Sequence, residues 1–68
     1  MKKTLELKNN LRAVRTAKNL SQQELANIVG TTRQTIIAIE KNNFNPSVRL
    51  ALLLATALDT QVEALFFF

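Results

Sequence analysis

"LANIVGTTRQTIIAIEKN", residues 25–42, holds the only glycine of a 68-residue chain, Gly30. Before it, Leu25, Ala26, Ile28 and Val29 have the apolar spacing of a helix, and after it Ile36 and Ile39 resume that spacing. Glycine adopts a positive φ without steric cost, so it ends one helix abruptly and lets the next leave at a steep angle. A following threonine, Thr31 or Thr32, accepts the orphan N–H groups of the new helix. The stretch therefore reads as two short helices aimed across one another.

Local signals on either side extend this pattern. "SQQE" (Ser21–Glu24) is a capping box that opens the first of the two helices, which then runs to Val29. Upstream, Asn9 or Asn10 caps an earlier helix to about Lys18, with Leu11 and Val14 inward. Downstream, the third helix runs to about Lys41, and Asn42 suits the left-handed position that closes it. "NPS" (45–47) starts a fourth helix, with Asn45 as cap and Pro46 in the first turn. "TQVE" (60–63) is a second capping box, opening a short fifth helix. "KTLELK" (3–8) alternates, with Leu5 and Leu7 on one face of a short strand, and an extended "LFFF" puts Phe66 and Phe68 on one face. The expected fold is mostly α: five short helices, with a small antiparallel β element joining the N- and C-terminal segments. It forms one domain over residues 1–68.

Composition narrows the chemistry. There is no cysteine and no histidine, so disulfides and the usual zinc ligands are absent, and no metal site or cofactor is expected. The five carboxylates are scattered without paired spacing, which leaves no candidates for acid–base catalysis; the chain is not expected to be an enzyme or to hold a small-molecule ligand. "LALLLATAL" (50–58) falls far short of the ~20 residues of a membrane span, and "TLELKNNLR" is no signal-peptide core. A cytoplasmic protein without a membrane partner is expected. Charge is uneven. Residues 1–49 carry all nine Lys and Arg against Glu6, Glu24 and Glu40, whereas residues 50–68 carry only Asp59 and Glu63. A basic front and an apolar back suit a polyanion on one surface and a protein partner on another.

Two short helices joined by a tight glycine turn are the signature of a helix-turn-helix, here about residues 21–41. An ordinary helical hairpin with a glycine cap has the same spacing, so the third helix has to separate the two. At ~100° per residue, Ile36 and Ile39 point into the core while Arg33, Gln34, Ile37 and Lys41 fall on the opposite side. Arginine pairs with guanine O6 and N7, glutamine with adenine N6 and N7, and isoleucine suits a thymine methyl. Arg33 and Gln34 stand in the first turn, the end that enters the major groove in this motif.

With these residues in view, positions 11–66 resemble the Cro/C1-type (Xre-like) helix-turn-helix domains of phage repressors and bacterial regulators, a lambda-repressor-like DNA-binding fold. The resemblance is carried by "LRAVR", "LSQQELA", "GTTRQTIIAIE" and "NPS" together. The short length, strand-like start and aromatic end are similar to the compact dimeric, cytolysin-repressor-like members. The resemblance implies that Gln22 contacts a DNA phosphate and that Thr32, Arg33, Gln34 and Thr35 form the leading end of the recognition helix. It also implies that Lys41, Asn42 and Asn43 touch the DNA backbone on the far side, and that Arg15 and Glu40 form a buried structural ion pair. Asn42 replaces the commoner glycine and Ile37 stands where a polar residue is usual, so no relative's target sequence carries over.

The fourth helix bears two apolar stripes. By the family pattern Val48, Ala51, Leu52, Ala55 and Leu58 pack on the core, leaving Leu50, Leu53, Leu54 and Ala57 on roughly the opposite side. With Phe66, Phe67 and Phe68 these make an apolar patch of a size that monomers rarely expose, so residues 47–68 are expected to form a homodimer interface; the alternative is that the terminal strands cover the patch within one chain. The function expected is that of a homodimeric, sequence-specific double-stranded DNA-binding transcriptional regulator, a repressor on a palindromic operator. The alternative is a protein-interaction module of the same fold, antitoxin-like or bridging, since fold does not fix function.

Overall fold

The computed structural model describes residues 5–68. Its elements in chain order are β1 (Lys8–Asn9), α1 (Leu11–Ala17), α2 (Gln22–Val29), α3 (Arg33–Glu40), α4 (Val48–Ala57), α5 (Val62–Leu65) and β2 (Phe66–Phe67). The capping box at the start of α2 forms as its sequence dictates. Ser21 Oγ accepts from the Glu24 N–H at 3.0 Å, and Glu24 Oε1 accepts from the Ser21 N–H at 2.8 Å. Thr32, rather than Thr31, caps α3, its hydroxyl oxygen accepting from the Thr35 N–H.

Helices α1 to α4 all end in the same way. A left-handed residue follows each, at Asn19, Gly30, Asn42 and Asp59. The next residue then donates its N–H to the carbonyl five positions back: Leu20 to Arg15, Thr31 to Ala26, Asn43 to Ala38 and Thr60 to Ala55. These closures satisfy helix-end carbonyls that would otherwise lack partners. At Gly30 (φ +77°) a Cβ would meet nothing within 4 Å, so the turn requires the backbone angle and no close approach.

Two helix starts differ from the sequence reading. α4 begins at Val48 with Ser47 as its cap, Ser47 Oγ accepting from the Leu50 N–H at 3.1 Å. Asn45 and Pro46 therefore lie ahead of the helix, where a residue preceding proline favours extended backbone. The "TQVE" box does not form: α5 starts at Val62 after Gln61, without a side-chain cap bond. Thr60 is already engaged by its backbone in closing α4.

The strand also lies later than expected. Residues 3 and 4 of the "KTLELK" stretch fall outside the described residues, and Leu5 is 74% exposed. Lys8 pairs with Phe67 and Asn9 with Phe66 in an antiparallel ribbon. Asn9 ends the ribbon, because its side chain donates to the Ile39 carbonyl at 2.9 Å and accepts from the Leu11 N–H at 3.1 Å. One side chain thus ties β1 to the start of α1 and the end of α3.

The core draws on all five helices through Leu11, Leu25, Ala26, Ile36, Ile39, Leu54, Ala55, Leu58 and Leu65. Leu54 corrects the two-stripe reading of α4, since it is fully buried and cannot belong to an interface with another chain. Val48 and Leu52, expected inward, are 78% and 52% exposed. Leu50, Leu53 and Ala57 are half-buried along the margin of the core. A helix apolar over most of its circumference has no unique inward phase by periodicity, and the packing of α2 and α5 against it decides. Burying a leucine such as Leu54 is worth about 1.5–3 kcal/mol. Among the described residues no helix is long and apolar enough to cross a membrane.

Candidate nucleic-acid interface

The α2–turn–α3 unit presents the first turn of α3 outward. Ile36 and Ile39 are buried and fix the roll of the helix, which leaves Arg33 and Gln34 exposed. Thr32 is exposed and Thr35 half-buried, their hydroxyls 3.0 Å apart. Ile37 is half-buried. Lys41, Asn42 and Asn43 follow in the exposed turn that closes α3.

Behind this face runs a chain of side-chain hydrogen bonds. Arg15 Nε donates to Glu40 Oε2 at 2.6 Å and Arg15 Nη2 to Glu40 Oε1 at 3.3 Å, a two-point contact between α1 and the end of α3. The third nitrogen, Nη1, donates to the Leu20 carbonyl at 2.7 Å. The Arg15 and Glu40 side chains are 9% and 5% exposed, so the guanidinium stands inside the fold. Glu40 Oε1 also accepts from Gln22 Nε2 at 3.1 Å, and Gln22 Oε1 accepts from Arg33 Nε at 3.4 Å. This satisfies the buried charges, as burial requires.

A groove of about 410 Å³ opens over the ion pair, between the start of α2 and the side of α3. Arg12, Ser21, Gln22, Ile37 and Lys41 line it. Arg12 lies about one helical turn before Arg15, and no motif in the sequence marks it as part of this face. It is exposed and also borders a second groove of about 390 Å³, lined by Asn9, Asn10, Ala13 and Thr16. Glu24 lies at the same end of α2, and the hydrogen bonds from the Ser21 backbone and side chain hold its carboxyl below the ordinary 4.5.

Chemically, this face offers a planar guanidinium and a primary amide on one exposed helix turn, with cations and a helix N-terminus beside them. Such a set suits base edges flanked by phosphates. The residues expected at an interface between chains lie elsewhere. Leu50, Leu53, Ala57, Phe66 and Phe67 are half-buried and Phe68 is 69% exposed.

Comparison with known proteins identifies the family. The helix-turn-helix family profile matches residues 11–65. An uncharacterised HTH-type transcriptional regulator of Methanocaldococcus jannaschii is 42% identical over 62 residues, covering 91% of this chain and 94% of that protein. The control protein C.SmaI of Serratia marcescens is 39% identical over 59 residues, covering 87% and 70%. Among solved structures, the restriction-modification controller protein C.AhdI of Aeromonas hydrophila superposes with a TM-score of 0.75 at 42% identity, covering 79% of this chain and 78% of that one. The chain belongs to the Cro/C1-type helix-turn-helix family of DNA-binding transcriptional regulators.

Proposed function

We propose that the protein is a homodimeric repressor that occupies a palindromic DNA operator, each subunit reading one half-site. The observation that carries this reading is the exposed first turn of α3, with Arg33 and Gln34 side by side beyond a helix whose other face is buried. Arg33 reads guanine and Gln34 adenine, while Ile37 meets a thymine methyl at the edge of the groove. Thr32 and Thr35 set the leading end of the helix. Gln22 and the N-terminus of α2 hold a phosphate, and Lys41, Asn42 and Asn43 hold the backbone on the far side. Phosphate contacts supply affinity that falls with salt, and base contacts supply specificity.

The dimer is proposed to form through residues 47–68, with Leu50, Leu53, Ala57 and Phe66 to Phe68 toward the twofold axis. Support comes from the exposed Phe68 and the half-buried margin of α4. Selection of bound DNA from a random pool tests the reading. It should return an inverted repeat with half-site centres about 34 Å apart, one turn of DNA. Sedimentation should give twice the chain mass at micromolar concentration. A selected site without symmetry, or a sedimenting monomer, refutes the dimeric repressor.

A further inference from the structure

Glu40 does more than neutralise Arg15. Its Oε1 accepts from Gln22 Nε2 at 3.1 Å, and the Gln22 Oε1 in turn accepts from Arg33 Nε at 3.4 Å. A carboxylate only accepts and a guanidinium only donates. The Gln22 amide lies between one of each, so only one of its two orientations satisfies both neighbours. Turned over, it would set oxygen against oxygen at Glu40 and nitrogen against nitrogen at Arg33.

The geometry points to Glu40 as a positioning residue for base readout: acting through Gln22, it fixes where the Arg33 guanidinium is held and thereby sharpens the base preference of Arg33. This rests on the reading of Arg33 as a base-contacting residue. The inner end of the link is firmly anchored, because the Glu40 side chain is 5% exposed and bound to Arg15 at 2.6 Å. Its outer end steadies an exposed side chain that would otherwise sample many rotamers and lose that freedom on binding. Holding Nε toward α2 leaves the two terminal nitrogens free to donate in parallel to guanine O6 and N7. The carboxylate that completes the buried ion pair is thus also the origin of order at the DNA face.

The test uses DNA selected from a random pool by the wild-type protein, with each base of one half-site replaced in turn. Gln22→Met removes both ends of the link and leaves the Arg15–Glu40 pair in place. It should lower the preference ratio at the base read by Arg33 by about two- to tenfold, the worth of one pre-ordered long side chain. Loss of a phosphate contact by Gln22 weakens selected and substituted DNA alike and cancels in that ratio. Glu40→Gln, whose amide accepts or donates, should relax the same base position and no other. Without DNA, the Arg33 Nε–H resonance should move toward its random-coil position in Gln22→Met. If Arg33→Ala leaves the preference intact, base reading by Arg33 fails and the inference falls with it. If Arg33→Ala abolishes the preference but Gln22→Met keeps the wild-type ratio and resonance, the positioning role is overturned while base reading stands. Should Glu40→Gln not fold, Gln22→Met decides alone.

Discussion

Replacing Glu40 by alanine leaves the Arg15 guanidinium inside the fold without its counter-charge. Two of the three hydrogen bonds of Arg15 disappear with the carboxylate, those at 2.6 and 3.3 Å, and only the Leu20 carbonyl at 2.7 Å remains. Breaking a buried pair by removing one partner costs about 3–5 kcal/mol. The lower end applies, because the groove beside the pair admits water to the stranded charge. A domain of this size has a total stability of about 3–10 kcal/mol, so a loss of about 3 kcal/mol should lower Tm by roughly 12–24 °C. Thermal denaturation followed by circular dichroism reads this directly. Arg15→Met combined with Glu40→Ala should recover much of the loss, since an apolar stem replaces the unpaired charge. A Glu40→Ala melting temperature within ~2 °C of wild type, well inside the scatter of surface changes, would refute the account of this pair.

Arg33→Ala should cost about 1–3 kcal/mol of discrimination at one base of each half-site; equal losses on selected and random DNA in a competition gel shift would mean that Arg33 touches only the backbone. Phe68→Glu places a charge on a residue exposed within one chain, so the fold should survive while sedimentation shifts from dimer to monomer and operator binding weakens. An unchanged dimer would exclude Phe68 from the interface. The carboxyl of Glu24 titrates lower when folded than when unfolded. Its contribution to stability is therefore complete above the unfolded value near 4.5 and is lost as pH falls through the lower folded value. Glutamine retains the capping geometry without titrating, so Glu24→Gln should flatten the acid limb of Tm against pH; parallel curves for the two proteins would contradict this.

What the sequence made legible was local. The Ser21 capping box, the Thr32 cap and the left-handed Gly30 and Asn42 each depend on backbone groups within five residues. Their chemistry can be read in a short window. The phase of α4 could not be read that way. Leu50, Leu52, Leu53 and Leu54 are equally apolar, and packing by α2 and α5 selects Leu54 as the buried one. The start of α4 shows competition between two local signals, with the Ser47 hydroxyl prevailing over Asn45. On α3, spacing alone puts Arg33 and Gln34 on one exposed turn. The bonds linking Gln22 to both Glu40 and Arg33 depend on side-chain reach between helices, which periodicity does not encode.

The repeated helix closure also implies an order of events in time. Each left-handed stop spans six residues, so it can form on the sub-microsecond scale of helix growth, before distant parts of the chain have met. The α2–turn–α3 unit belongs to this fast class. The ribbon that pairs Lys8 with Phe67 belongs to the opposite one, since it must first close nearly the whole domain into a loop. Opening should run in reverse. The Asn10 N–H, bonded to the Leu65 carbonyl beside the ribbon, should exchange with solvent sooner than the Thr31 N–H in the helix-turn-helix. The α2–turn–α3 unit would thus keep its shape through excursions that unfasten the terminal ribbon.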